Sequence, residues 1–128
     1  MSVSFIVLEK HHPNKPEVPK RYYAQAKSKG NLQIRDIAQT LSERSTLSRA
    51  DVVAVLEGLI ELIPEKLMEG YLIKLGDLGS FRLGFKSNGE EAPEKVGAKS
   101  ISKPKINFLP STLIKGELKK ARFEKWKG

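Results

Sequence analysis

Apolar positions change their spacing several times along the chain, and each change marks an element. Val3 to Leu8 is a short run rich in β-branched residues, closed by His11-His12-Pro13-Asn14-Lys15-Pro16. It predicts a strand followed by an irregular segment. From Pro19 to Gly30 no period is evident, although Tyr22 and Tyr23 mark one anchored patch. Residues 1–30 therefore read as an extension packed on a core that begins near Leu32.

From Leu32 the spacing turns helical. Leu32, Ile34, Ile37, Ala38 and Leu41 cover one face, with Arg35, Asp36, Gln39 and Glu43 opposite, which predicts an amphipathic helix ending near Arg44-Ser45-Thr46. Ser48, with Asp51 three residues on, has the form of a capping box. The residues that follow, from Val52 to Leu67, are apolar around much of a helix, as in a helix buried on several sides at a dimer interface. Pro64 lies inside that pattern and predicts a kink or restart, because its ring removes a hydrogen bond and clashes with the preceding turn. Gly70 then ends the helix as a left-handed cap.

Two strands follow, Tyr71 to Leu75 and Ser80 to Lys86, around Gly76-Asp77-Leu78-Gly79. In the second, Phe81, Leu83 and Phe85 alternate with Arg82 and Lys86, so the two sets face opposite ways. Residues 87–100 are too polar and too rich in Gly and Pro for a core and read as a protruding arm. Ile101 to Leu109 resumes strand character, interrupted by Pro104 in the manner of an edge strand or arm margin. Ser111 can cap a last helix that packs Leu113, Ile114, Leu118, Ala121 and Phe123 inward. Trp126 is read as a packing anchor for that helix.

Size and charge narrow the class. A chain of 128 residues holds one ordinary domain, and with 39% hydrophobic residues but only 7% aromatics its core is modest. Such a chain often completes its burial against a second copy. Lys and Arg number 23 against 15 Asp and Glu, a net charge of +8, which favours an anionic partner. Residues 1–29 carry six basic residues against two acidic and residues 99–128 carry nine against two, whereas residues 30–98 carry eight against eleven. The positive excess thus lies at the two ends. No apolar run is long enough to span a membrane and no signal-type start is present, so a soluble, cytoplasmic protein is expected. Zero cysteines exclude disulfide and thiol chemistry.

The order of two helices, a three-stranded sheet with an arm and a short last helix carries two motifs: Leu75-Gly76-Asp77-Leu78-Gly79-Ser80-Phe81 and Ile106-Asn107-Phe108-Leu109-Pro110. In this order and spacing the chain resembles the HU/IHF family of bacterial histone-like DNA-binding proteins over about residues 32–126. The extension, with Pro13-Asn14-Lys15-Pro16 and Tyr22-Tyr23-Ala24, is similar to that of an HU-like subgroup in Bacteroides-type bacteria. The resemblance implies an α+β fold: two amino-terminal helices, a three-stranded antiparallel sheet with an extended β-arm and a short carboxy-terminal helix, here with an amino-terminal strand extension. Residues 1–30 are then the extension and residues 31–128 the DNA-binding domain. It further implies an intertwined homodimer whose arms reach around the minor groove of double-stranded DNA in the nucleoid, an architectural role in DNA condensation.

The chain departs from the family at two places. Family arms carry an Arg-Asn-Pro tip whose proline wedges between base pairs; here the arm is shorter and its middle reads Glu90-Glu91-Ala92-Pro93-Glu94. Pro93 is the candidate intercalating wedge, with three carboxylates beside it that would repel phosphate. The family's Gly-Lys after the Phe-x-Pro segment is replaced by Ser111-Thr112.

Arg82, Lys86, Lys95, Lys99, Lys103 and Lys105 flank the arm and are the candidate DNA-binding residues, because a basic strand pair can follow phosphates while leaving bases unread. Lys115 and Lys119, with Lys120 and Arg122, form a basic face on the last helix that would extend the contact. Each set also has an ordinary reading as a solvated surface. Lys10, Lys15, Lys20 and Arg21 are weaker candidates. His11 and His12 lack partners at metal-ligand spacing, and Gly76 and Gly79 precede no helix start of the phosphate-binding kind. No catalytic set stands out, so the expected protein is not an enzyme and has no cofactor, metal, small-molecule substrate or membrane partner. The alternative is an HU-fold protein-interaction module that has lost its grip on DNA. RNA binding ranks third, since no aromatic platform is visible among the basic residues.

Overall fold

The computed structural model describes residues 2–10, 14 and 17–128. Its elements are β1 (Val3–Lys10), β2 (Arg21–Lys27), α1 (Ile34–Glu43), α2 (Arg49–Met68), β3 (Ile73–Lys74), β4 (Gly79–Ser87), β5 (Ile101–Pro110), α3 (Thr112–Leu118) and β6 (Phe123–Lys125). The result is a mixed α+β chain with three α-helices and two three-stranded sheets, ordered β2-β1-β6 and β3-β4-β5. By contacts it divides into one unit of residues 1–33 with 117–128 and another of residues 34–116. The adjacent histidines His11 and His12, and Lys15, lie outside the described residues.

In the first unit β1 pairs antiparallel with β2, Ser4 opposite Lys27 and Lys10 opposite Arg21, and pairs parallel with β6, Val3 opposite Phe123. Two expectations are corrected here. The stretch read as aperiodic contains β2, an outer strand whose residues are all exposed, so no buried face imposes alternation on Arg-Tyr-Tyr-Ala-Gln-Ala-Lys. The last helix is shorter than expected: it ends at Leu118, and Phe123 to Lys125 extend along the free edge of β1. The Val3 amide donates to the Arg122 carbonyl at 2.7 Å, and the Trp126 amide to the Phe5 carbonyl at 2.8 Å. Ladder hydrogen bonds replace the helical ones, and Gly116 inside the short helix adds to its weakness. Trp126 follows β6 rather than a helix, with the Lys27 ammonium 4.7 Å from its ring centroid.

In the second unit the capping box forms as expected: the Ser48 hydroxyl accepts from the Asp51 amide at 3.1 Å and the Asp51 carboxylate from the Ser48 amide at 3.3 Å. The helix runs unbroken through Pro64 for 20 residues, so the expected restart does not occur. Neighbouring turns continue the hydrogen-bond ladder on either side of the missing donor. Its end is a Schellman arrangement, with Gly70 at φ 98°, its amide donating to Leu67 and the Tyr71 amide to Lys66. Ala38, Val52 and Leu67 are the buried hydrophobic residues. Val55, Ile60, Leu62 and Met68 on the same helix remain exposed.

The second sheet has β4 at its centre and β5 at its edge. Phe81 sits directly opposite Phe108, ring centroids 4.8 Å apart and tilted by 37°, a contact worth about 0.5–1.5 kcal/mol beyond burial. Between Gly84–Lys105 and Lys86–Ser102 the register slips by one residue. The extra residue lies on β5, where Lys103 takes φ 53° beside Pro104. A bulge on an edge strand is where a proline without an amide proton is tolerated. Among the described residues no helix is long and apolar enough to cross a membrane.

Candidate nucleic-acid interface

The pleat sorts the β3-β4-β5 sheet into two faces. Phe81 with Phe108 and Leu83 with Ile106 pair across one face. On the other face Lys74 lies opposite Ser80, Arg82 opposite Asn107, and Gly84 opposite Lys105. Lys86, two residues beyond Gly84, continues this polar face opposite Ser102. Gly84 carries no side chain, and an added Cβ would meet the Asn107 amide nitrogen at 2.5 Å. Its hydrogen leaves room for Asn107 and Lys105 to lie across the strand.

Arg82, Lys86, Lys103 and Lys105 are exposed, and none has an ion pair among the described residues. Cations without an ion pair, spread along the β4-β5 strand pair, can meet phosphates without first breaking an internal pair. Lys103 sits in the bulge, where the backbone turn re-aims the strand. Lys74 and Asn107 belong to the same face and were not singled out from the sequence. Alternation within β3 would have placed Lys74 only if its register against Ser80 were known.

At the end of the arm the chain is folded back into two 3-10 turns, Pro93–Lys95 and Ala98–Ser100. The Asn88 amide donates to the Ser100 carbonyl at 2.7 Å and closes the hairpin. Ser100 is buried; its hydroxyl donates to the Glu90 carboxylate at 3.0 Å and accepts from the Gly97 amide at 3.2 Å. Lys95 pairs with Glu91 at 3.4 Å. Two of the three carboxylates at the tip are thus engaged within it, and among the described residues Lys95 is the candidate cation of the arm that has an ion pair. Pro93 is the exposed first residue of its turn, and Lys99 is exposed in the second.

The turn before β4 is tied to the start of α3. The Ser111 hydroxyl accepts from the Ile114 amide at 3.1 Å and donates to the Asp77 carbonyl, while the Ser111 amide donates to the Leu78 carbonyl at 3.2 Å. Lys115 projects from α3, but Lys119 and Lys120 follow its end and Lys120 pairs with Glu117 at 3.1 Å. The basic face expected on a long last helix is therefore not assembled. Lys119 belongs to the unit of residues 1–33 and 117–128, whereas Arg82, Lys86, Lys95, Lys99, Lys103, Lys105 and Lys115 belong to the unit of residues 34–116.

Comparison with known proteins shows what the chain is similar to. A family model described as an HU domain fused to a winged helix-turn-helix, immunoglobulin-like or glycine-rich motif matches residues 1–125. The integration host factor subunit alpha of a Marinomonas species is 27% identical over 97 residues, covering 70% of this chain and 93% of that protein. A crystal structure from Bacteroides vulgatus, described as a candidate bacterial DNA-binding protein, superposes with a TM-score of 0.65 over 97% of this chain at 14% identity. This chain spans 48% of that one, so the likeness speaks for the fold alone.

Proposed function

The chain belongs to the family of HU domains fused to further motifs, and from that premise we propose that it binds double-stranded DNA architecturally, with little sequence preference, through its β-arm. The polar face of the β3-β4-β5 sheet carries this reading: Lys74, Arg82, Lys86 and Lys105 in register, with Lys103 at the bulge. Contacts from such cations to phosphates fix position without carrying sequence information, and Asn107, opposite Arg82, adds an amide side chain to the same face. Lys99 and Lys115 widen the surface in this reading; Lys95 and Lys119 contribute less, for the reasons of pairing and placement given above. Pro93, exposed at the start of its turn, is the candidate wedge of this reading, and loss of duplex bending in Pro93→Ala would assign it that role.

In this reading the protein works as a homodimer. Residues 34–116 leave Val55, Ile60, Leu62 and Met68 of α2 uncovered, and an apolar hollow of about 430 Å³ lies between α2 and the sheet, against Ile60, Leu67, Phe81 and Ile106. A second copy supplies apolar surface of the matching kind. The rival reading, in which the arm docks a protein, draws on Glu90, Glu91 and Glu94 at the tip.

Binding of a labelled random-sequence duplex of about 40 base pairs by the wild type and by the Lys86→Ala, Lys103→Ala, Lys105→Ala triple variant separates the two. Tight binding at low salt that the triple variant loses by at least about tenfold is expected if these cations meet phosphates. Equal binding by both proteins overturns the site, and indifference of the wild type to duplex DNA overturns the function.

A further inference from the structure

The arm is not where the charge excess of the molecule lies. Residues 1–33 with 117–128 hold eleven basic residues against four acidic, a net of +7; residues 34–116 hold twelve against eleven, a net of +1. The strongly basic unit is the small β2-β1-β6 sheet, and its register collects side chains that are far apart in sequence. Lys10 lies opposite Arg21, Leu8 opposite Tyr23, Ile6 opposite Gln25 and Ser4 opposite Lys27, all on one face. Trp126 joins that face from the other edge, since the Lys27 ammonium stands over its ring at 4.7 Å; the Lys10 ammonium stands 5.7 Å from the Tyr23 centroid. Both rings are about half exposed, Tyr23 at 49% and Trp126 at 48%.

Between the end of β2 and Trp126 lies a hollow of about 750 Å³, lined by Ser4, Ala26, Lys27, Ser28, Lys29 and the indole among others. A hollow of this size, with two lysines and an indole among its lining residues, is within the range of small-ligand sites. From Tyr23 to the Lys27 level the strand advances about 13 Å, the reach of a few nucleotides.

We propose that this face is a second nucleic-acid site, which takes a short single-stranded segment by stacking its unpaired bases on Tyr23 and Trp126 and holding its phosphates with Lys10, Arg21, Lys27 and Lys29. The two lysines now over the rings occupy the positions that bases would take. A base displacing each ammonium leaves it beside the phosphate of the same nucleotide, so one cation–π contact is exchanged for a stack and a charge-assisted bond. A duplex offers no such match, because its base faces are already stacked on one another and are not free to stack on Tyr23 and Trp126. The proposal goes beyond the arm and does not rest on duplex binding there.

Trp126 is the sole tryptophan of the chain, so its fluorescence reports this site directly. The test titrates a 12-nucleotide oligo-dT, an oligo-U of the same length and an abasic 12-mer into the full chain carrying the Lys86→Ala, Lys103→Ala and Lys105→Ala substitutions, which remove the arm as a competing site. Quenching of Trp126 by the base-bearing strands is expected, with the abasic strand at least about tenfold weaker. Tyr23→Ala should weaken binding by roughly tenfold, the scale of one lost base stack, and Tyr23→Phe should retain it; thermal melting confirms that each variant is folded. Oligo-dT and oligo-U binding alike supports the shared chemistry, and a preference for one names the natural strand. Absence of quenching, equal binding of the abasic strand, or indifference to Tyr23→Ala in a folded variant overturns the proposal.

Discussion

Two glycines of β4 look alike in sequence and are held for different reasons. Gly79 has φ 144°, and an added Cβ would meet the Leu109 carbonyl oxygen and the Phe108 ring, both parts of the fixed sheet. Gly84 would meet the end of the Asn107 side chain, which can swing aside. Gly79→Ala is therefore expected to destabilise by about 2–4 kcal/mol, and Gly84→Ala by under about 1 kcal/mol with a weaker grip on duplex DNA, as read by urea unfolding and binding. The Gly-x-x-Gly-x-Phe spacing made the turn legible in the sequence. The clearance at Gly84 was not, because it depends on which residue of β5 stands opposite. The same register places Lys74 and Asn107 beside Arg82 and Lys105, and no local pattern around either residue announces it.

At the scale of elements, the parts that could be read are those that carry their own signals. Helices α1 and α2 show a helical period, Ser48 and Asp51 mark a start and Gly70 a stop, and each appears where those residues put it. Strands β2 and β6 carry no such signal. Both flank β1 and bury none of their residues, so neither alternates, and β6 is defined by a partner some 120 positions away. That long-range pairing also explains why no local pattern puts Tyr23 and Trp126 on one sheet. Helix α2 makes the sharpest demand at this scale, since a helix apolar on several sides needs more cover than residues 34–116 provide. Sedimentation of the wild type should give the mass of two chains, and Val55→Asp with Ile60→Asp should give one chain or an unfolded one, because a carboxylate buried in an apolar contact has no partner. A wild-type monomer, or a double variant that still dimerises, would place the interface elsewhere.

The whole molecule distributes its chemistry unevenly. Its family membership and its arm point to duplex DNA, yet the arm-bearing unit is close to neutral and the net charge resides in the β2-β1-β6 unit. On this account the arm works through the placement of a few cations without an ion pair among the described residues, not through a net charge of its unit. The central claim, backbone-directed binding of duplex DNA, has a direct thermodynamic signature in counterion release. The logarithm of the affinity for random-sequence duplex against the logarithm of salt concentration should be linear and steep. For a dimer meeting on the order of six to ten phosphates, the affinity should drop by roughly 10³ to 10⁵ between 50 and 200 mM salt, with the slope shallower by about one for each contact removed from the arm. An affinity that barely changes over that range, or a slope untouched by loss of Lys86, Lys103 and Lys105, would contradict it.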